Sequence, residues 1–317
     1  MTPGEDQVAR FAADLAALAP LDAPLGLAVS GGPDSVALLL LAVAVKREGV
    51  AVATVDHGLR EESRAECEMV AALCERLGVP HDILTVEWDK LPDSNLQALA
   101  RAERYALLAS WAHEKGPTAV ATAHHADDQA ETLLMRLARG SGLSGLRGAR
   151  EKRLLAEGIW LIRPLLGWRR DELVAIVAEA GVEAVSDPAN DDLRHDRTKV
   201  RRWLRDSDWI DPARLAAAAH HLGEADDALD WALGGLAVSR IAPEGDALTI
   251  DPNGIPPELQ RRLLLCALAR SGVAAPRGPD LARAIEALEQ GRSVTLAGLK
   301  LEGGPVWHIS TAPPRRT

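Results

Sequence analysis

Short apolar runs alternate with segments of helical periodicity through the first half of the chain, and this alternation limits the fold more than any other feature. Residues 25–30 (LGLAVS), 50–56 (VAVATVD), 81–88 (HDILTVEW) and 118–125 (TAVATAHH) read as strands. Helical patterns lie between and after them, over 36–47, 63–77, 95–115 and 127–139. Strands apolar on both faces, separated by helices, predict a parallel sheet covered on both sides with right-handed crossovers. After residue 205 the pattern changes to Ala/Leu-rich helices over 212–236, 257–270 and 279–290, and then to a hairpin around Gly303-Gly304. The chain therefore reads as an α/β domain over 1–205 and a smaller, mainly helical domain over 206–317. Its 317 residues suit two domains.

Hydrophobic residues make up 47% and charged residues 26%, a globular composition. Three cysteines, Cys67, Cys74 and Cys266, build no disulfide framework and no C-x-x-C pair, so a reducing, cytoplasmic setting is expected. The first twenty residues lack a basic start and carry Glu5, Asp6 and Asp14, unlike a secretion signal. The apolar run 36–45 is about half a membrane span, so no membrane association is expected.

The net charge of −10 argues against general DNA binding, which depends on phosphate neutralisation. The positive charge is nevertheless concentrated. Residues 136–170 hold nine Lys/Arg against two Glu, and 194–205 hold six against one Asp. Residues 206–251 reverse the balance, with ten acids against two arginines. Two basic blocks on an acidic background can focus a positive field on one specific polyanion.

Ser30-Gly31-Gly32-Pro33-Asp34-Ser35 stands between an apolar strand and a helix. Backbone N–H groups at a helix start, approached through glycines, make an anion cradle. No Gly-Lys-Ser/Thr follows, so this is no Walker A loop. Without a lysine, phosphate charge must be met by the cradle, by arginines from elsewhere or by Mg²⁺, which Asp34 is placed to hold. Where the fourth strand turns into a helix the chain reads His124-His125-Ala126-Asp127-Asp128-Gln129-Ala130-Glu131. Asp128 and Glu131 share a helix face. Carboxylates at a strand's carboxyl end serve either as ordinary helix caps or as a seat for a cation.

The S-G-G-x-D-S element resembles the pyrophosphate loop of the N-type ATP pyrophosphatases. That resemblance implies a Rossmann-like nucleotide-binding domain and assigns Ser30, Gly31, Gly32, Pro33, Asp34 and Ser35 to ATP, with Asp34 as the Mg²⁺ residue. VDHGLR (55–60), ALARAERY (98–105), TAHHADDQAET, RGSGLSGL, LIRPLL and DPANDD…RHDRTKVRR follow in order. Together they resemble the bacterial tRNA(Ile)-lysidine synthetase family over about 25–205. The resemblance implies ligation of free lysine to C2 of the wobble cytidine of tRNA(Ile) with a CAU anticodon. The cytidine oxygen is adenylated first, and the lysine ε-amine then displaces AMP. Residue by residue, Asp128 and Glu131 match the acids that hold lysine, while Asp34, Arg104, His124 and Arg201 match the catalytic set. By family architecture the segment from 206 onward helps grip the tRNA.

Two alternatives stay open at this level: a thiolating enzyme on the same fold, or a regulator that senses ATP without turnover. Thiolation needs paired cysteines or a cluster site, which Cys67, Cys74 and Cys266 do not supply. No motif encodes the oligomeric state, and a homodimer is compatible with the sequence. Trp203 is expected to pack in the core, His57 to cap a strand, and the Asp226, Asp227 and Asp230 cluster to stay in water.

Overall fold

The computed structural model describes residues 2–46, 48–58, 62–88, 96–185 and 196–312. The chain divides into two compact units, Met1–Gly223 and Glu224–Thr317. In the first, α1 (Glu5–Ala16) leads into β1 (Leu25–Ala28), α2 (Pro33–Val45), β2 (Val50–Asp56), α3 (Glu62–Leu77) and β3 (His81–Thr85). There follow α4 (Leu96–Lys115), β4 (Ala119–Ala121), α5 (Ala126–Ala138) and the single turn α6 (Leu143–Leu146). The hairpin β5 (Lys152–Ala156) and β6 (Ile159–Ile162), α7 (Arg170–Glu179), α8 (Asp196–Asp206) and the first part of α9 (Pro212–Arg240) complete it.

The sheet order is β3-β2-β1-β4-β6-β5. β1 pairs in parallel with both β2 and β4, β2 with β3, and β4 with β6. Only β5 runs antiparallel, at the edge. It was absent from the sequence reading because Lys152-Arg153 at its start breaks the apolar signature of the inner strands. The order reverses direction between β1 and β4, and a doubly wound sheet opens a crevice at such a point, outside the strands' carboxyl ends. The loops after β1 and β4 are the two elements singled out by sequence.

Helix α2 carries the run Val36-Ala37-Leu38-Leu39-Leu40-Leu41-Ala42, every residue of it buried. It lies between the sheet and helices α1 and α7, with Phe11, Leu15, Leu173 and Ile176 in the same core. Truncating such a buried leucine to alanine costs about 2–5 kcal/mol. The second face of the sheet is closed by α4, whose Leu108 and Trp111 pack with Val120 and Leu161.

The division at Gly223 falls later than residue 205. Helix α8 packs on α5, and the start of α9 is tied to the same unit. Arg169 Nη1 donates to Asp211 Oδ1 at 3.1 Å, and Ala219 is wholly buried. The second unit contains more sheet than its sequence suggested. Strands β7 (Ile241–Glu244), β8 (Ala247–Ile250), β9 (Ser293–Leu296), β10 (Leu299–Glu302) and β11 (Trp307–Thr311) form one antiparallel sheet in the order β7-β8-β11-β10-β9. Helices α10 (Pro257–Arg270) and α11 (Gly278–Glu289) supply the core with Leu263, Leu264, Leu268, Leu281 and Leu288. The turn near Gly303 joins β10 to β11, while β9 and β10 meet at Ala297-Gly298.

The Asp226 cluster departs from its expected place in water. Asp226 is buried and accepts from Arg262 Nη2, and Arg262 also donates to Asp230 Oδ1 at 2.5 Å and Glu258 Oε1 at 2.8 Å. Glu258 sits one helical turn before Arg262 on α10, whereas Asp226 and Asp230 come from α9, a pairing invisible without the fold. Trp203 also departs, and lies half exposed on α8. The inward side of that helix is taken by Leu204 and by the two arginines described below.

Candidate active site

Two strand-to-helix turns face each other across the crevice. After β1, Gly31 has a φ of +86°, and an added Cβ would stand 3.2 Å from Val185 Cγ2 and 3.3 Å from Val70 Cγ2. The turn therefore requires glycine at this position. Its carbonyl accepts from the Val185 N–H at 2.9 Å. Gly32 caps α2 with an ordinary φ of −68°, and Pro33 opens the helix where its missing N–H is no loss. A Cβ at Gly32 would meet only Ser30 Oγ, at 3.8 Å, so the space before this helix start is kept clear. Ser35 Oγ accepts from the Ser30 N–H at 3.1 Å and donates to Gly32 O at 2.9 Å, which braces the loop.

After β4, His125 caps α5 and Asp128 Oδ2 accepts the His125 N–H at 3.1 Å. The His125 side chain is 2% exposed. Its Nε2 lies 3.4 Å from Asp34 Oδ2 and 3.5 Å from Asp128 Oδ2, so one imidazole joins the two turns. Burial opposes its charged form, but Asp34, Asp128 and Asp127 outweigh burial and hold His125 above its ordinary value. Asp128 is held below the carboxylate range: burial alone would raise it, and His125, Arg197 and His124 overcome that effect.

Glu131, 2% exposed, accepts from Arg197 Nε at 2.6 Å and from Arg201 Nε at 2.7 Å. Arg197 Nη2 also reaches Asp128 Oδ1 at 2.6 Å. Arg197 and Arg201 are one turn apart on α8, so a single helix face spans both acids. Sequence reading picked out Arg201 but not Arg197; its position four residues earlier on the same helix was the available signal.

A cavity of about 540 Å³ lies at this crevice. Ser30, Gly32, Pro33, Asp34, Arg104, Asp128 and Arg201 line it, along with His57, Arg170 and Arg197. Gly31 and Ser35 stand in the cradle's own framework. Glu131 lines an adjoining cavity of about 380 Å³, and Arg170 and Arg201 border both. His124 lies beside the crevice, half-buried, with Nδ1 3.0 Å from Thr122 Oγ1. Burial, followed by Arg163, Arg101 and Arg104, pushes His124 down to about 3 against the pull of Asp128, so it is neutral at pH 7. His57 does more than cap a strand: it lines the cavity, and burial and Arg104 hold it below its ordinary value against Asp56.

One feature suits a divalent cation. Asp34 Oδ1 is buried without a hydrogen-bond partner among the described residues. Oxygen ligands of this kind suit Mg²⁺, which usually takes one or two carboxylates and completes its shell with phosphate oxygens and water. Among the described residues, no group of three or more His, Cys, Asp or Glu could hold a metal. The glycine-rich segment 140–148 is fixed at its far end: Gln129 Nε2 donates to Ala149 O at 2.9 Å and Gln129 Oε1 accepts the Ala149 N–H at 2.7 Å. Leu59, Arg60 and the DPANDD stretch lie outside the described residues.

Comparison with known proteins agrees with this geometry. Residues 5–207 match the model of the PP-loop domain. The chain is 48% identical over 301 residues to the tRNA(Ile)-lysidine synthase of Zymomonas mobilis, covering 94% of this chain and 91% of that protein. It is 47% identical over 312 residues to the enzyme of the same name from Novosphingobium aromaticivorans, covering 97% and 94%. Among solved structures, the U34-tRNA thiolase NcsA from Methanococcus maripaludis with its [4Fe-4S] cluster aligns over 69% of this chain and 78% of its own, with a TM-score of 0.59. At 16% identity that likeness is one of fold. A PP-loop crevice between β1 and β4, together with relatives of this similarity over nearly the whole chain, places the protein in the tRNA(Ile)-lysidine synthase family.

Proposed function

We propose that this chain uses ATP to join free lysine to C2 of the wobble cytidine of tRNA(Ile) with a CAU anticodon, releasing pyrophosphate and AMP. The observation that carries the reading is the meeting of two oppositely disposed turns in one crevice: an open N–H cradle after β1 and a carboxylate pair after β4. The cradle of Ser30, Gly31, Gly32, Pro33 and Ser35 receives the phosphate tail. Asp34 would hold Mg²⁺ through Oδ1, which has no hydrogen-bond partner among the described residues. Bound there, the ion supplies neutralisation of phosphate charge as the α-phosphorus is attacked.

The cytidine O2 attacks that phosphorus and pyrophosphate leaves, giving an O-adenylated base. Arg104 and Arg201, both lining the cavity, stabilise the charge that builds on the phosphate oxygens. The lysine amine then attacks C2 and AMP departs with the former carbonyl oxygen. Asp128 and Glu131 receive the cationic amino acid. Arg197 and Arg201 pair with the same carboxylates, so these oxygens already suit a cationic group. An amine attacks only when neutral, and His124, unprotonated at pH 7, or a nearby carboxylate can take its proton.

The thiolating alternative finds no support in the cysteines. Cys67 and Cys74 are buried on α3, and burial pushes their thiols up to about 11 and about 12, leaving little thiolate. Three free cysteines and a reaction fed by soluble ATP, lysine and tRNA favour the cytoplasm. Among the described residues no helix is long and apolar enough to cross a membrane. The test is pyrophosphate release. It should require tRNA and ATP, with AMP release additionally requiring lysine. ATP binding with no turnover would favour the regulator.

A further inference from the structure

Two groups of arginines in the first unit stand in contrast. Arg169, Arg197 and Arg201 are each matched by carboxylates. Arg101, Arg104, Arg153 and Arg163 form the other set, and none of them has a carboxylate partner among the described residues. These four come from α4, β5 and the end of β6, yet they converge on one phenol. The guanidinium of Arg101 lies 5.0 Å from the Tyr105 ring centre, and that of Arg153 lies 4.6 Å from it. Arg163 is 3% exposed; its Nη1 donates to Arg150 O, while its Nε is buried with no acceptor among the described residues. Arg104, one turn after Arg101, lines the catalytic cavity.

Cations gathered without counter-charge repel one another, and a buried guanidinium N–H without an acceptor carries a desolvation cost. Their field is felt locally. Burial would raise the Tyr105 phenol, but Arg101, Arg163, Arg104 and Arg153 hold it below its ordinary value. An anion that arrives with the ligand would relieve both costs at once.

We propose that Arg101, Arg153 and Arg163, packed about Tyr105 and continuous with Arg104 at the cavity, seat a backbone phosphodiester of the RNA substrate beside the nucleotide that enters the cavity. This rests on the function proposed above. The phosphates of ATP have their own cradle across the crevice, after β1. One amino-acid carboxylate needs one guanidinium, not three. Arg101 is exposed and Arg153 and Tyr105 are half-buried, so the seat opens outward, as a continuing polyanion requires. The Tyr105 ring holds the guanidiniums in place. Arg153 and Arg163 belong to the basic run at 136–170, but unlike Arg169 of that run, and Arg197 and Arg201 of 194–205, they are not committed to acids.

The test is filter binding of an unmodified tRNA(Ile) transcript with a CAU anticodon to the full chain, over a range of salt. Arg101→Ala and Arg153→Ala should each weaken RNA binding about tenfold and lower the slope of log K against log salt by about one. Arg101→Lys and Arg153→Lys should keep that slope. ATP affinity and the KM for lysine should change less than about twofold, since uniform loss of RNA contacts leaves the other substrates alone. Unchanged RNA binding overturns the seat. An equal effect from Arg76→Ala, an exposed arginine on α3, also overturns it, since the change would then be one of net charge. A selective rise in the KM for lysine overturns it as well, by assigning the cluster to the amino acid's carboxylate. A wild-type chain that modifies the transcript while both alanine variants bind it normally leaves the proposed function standing and removes only this inference. A wild-type chain that neither binds nor modifies the transcript removes both.

Discussion

The turn after β1 and the turn after β4 are the same device with opposite contents. Each ends a central parallel strand, each opens a helix at the point where the sheet order reverses, and each therefore begins with the positive end of a helix dipole. In the first, Gly31, Gly32 and Pro33 leave the space before the helix start clear, and a single acid, Asp34, stands in the first turn, so an anion can approach the N–H groups. In the second, Asp127 and Asp128 fill the first turn of α5 with negative charge, which a cation must answer. His125 bridges the two through Asp34 and Asp128. The fold supplies a place for a ligand, and the side chains of the first helical turn choose its sign.

The largest expected effect comes from removing the one carboxylate on the cradle side. Asp34→Ala should lower tRNA-dependent pyrophosphate release by at least about 10²–10³-fold, the scale of losing one preorganised electrostatic contact. Full activity in that variant would remove its metal role. On the opposite turn, Asp128→Asn and Glu131→Gln should each raise the KM for lysine roughly ten- to a hundredfold, the value of a charge-assisted hydrogen bond. ATP affinity should stay as in wild type, and steady-state kinetics with each substrate varied separates the two turns. If either change weakens ATP and lysine alike, the division of labour fails.

Smaller changes sharpen the contrast within the cradle. Gly31→Ala should lower stability by about 1–2 kcal/mol in denaturant titration, because φ is left-handed there. Gly32→Ala should leave stability nearly unchanged and weaken ATP binding about tenfold, since its methyl group enters the space where phosphate would sit. The reverse pattern would mean that the cavity side of the loop has been misassigned.

A further effect concerns pH. His124 lies near 3 in the folded chain against an unperturbed 6.5, so below pH 6.5 the unfolded chain binds the proton first. Its contribution therefore costs stability progressively as pH falls from about 6.5 towards 3, and is constant above that window. His124→Asn should flatten this limb, so that the stability gap between variant and wild type shifts in the variant's favour between pH 7 and pH 4. A gap that stays constant over that interval would show that His124 takes its proton at an ordinary pH.

Much of the crevice was legible in sequence because its parts are local. The strand, glycine turn and helix around residues 25–45 are contiguous, and the acids of α5 sit within one turn of each other. What sequence could not show depends on partners distant in the chain. Arg197 reaches Glu131 from 66 residues away, and Arg169 reaches Asp127 from 42. The exposure of Trp203 follows from which side of α8 meets α5, which the usual burial of tryptophan could not foresee. Asp226 looked solvated because its partner Arg262 belongs to another helix. The hairpin of β7 and β8 escaped notice because Pro243, Glu244 and Asp246 interrupt its alternation.

Mass spectrometry of anticodon-loop fragments, after incubating the full chain with ATP, lysine and unmodified tRNA(Ile), bears most directly on the claim that the two turns serve one reaction. The wobble cytidine should gain the mass of one lysine less one water, only when all three substrates are present. A cytidine unchanged in mass, or one carrying sulfur in place of oxygen, would contradict the account.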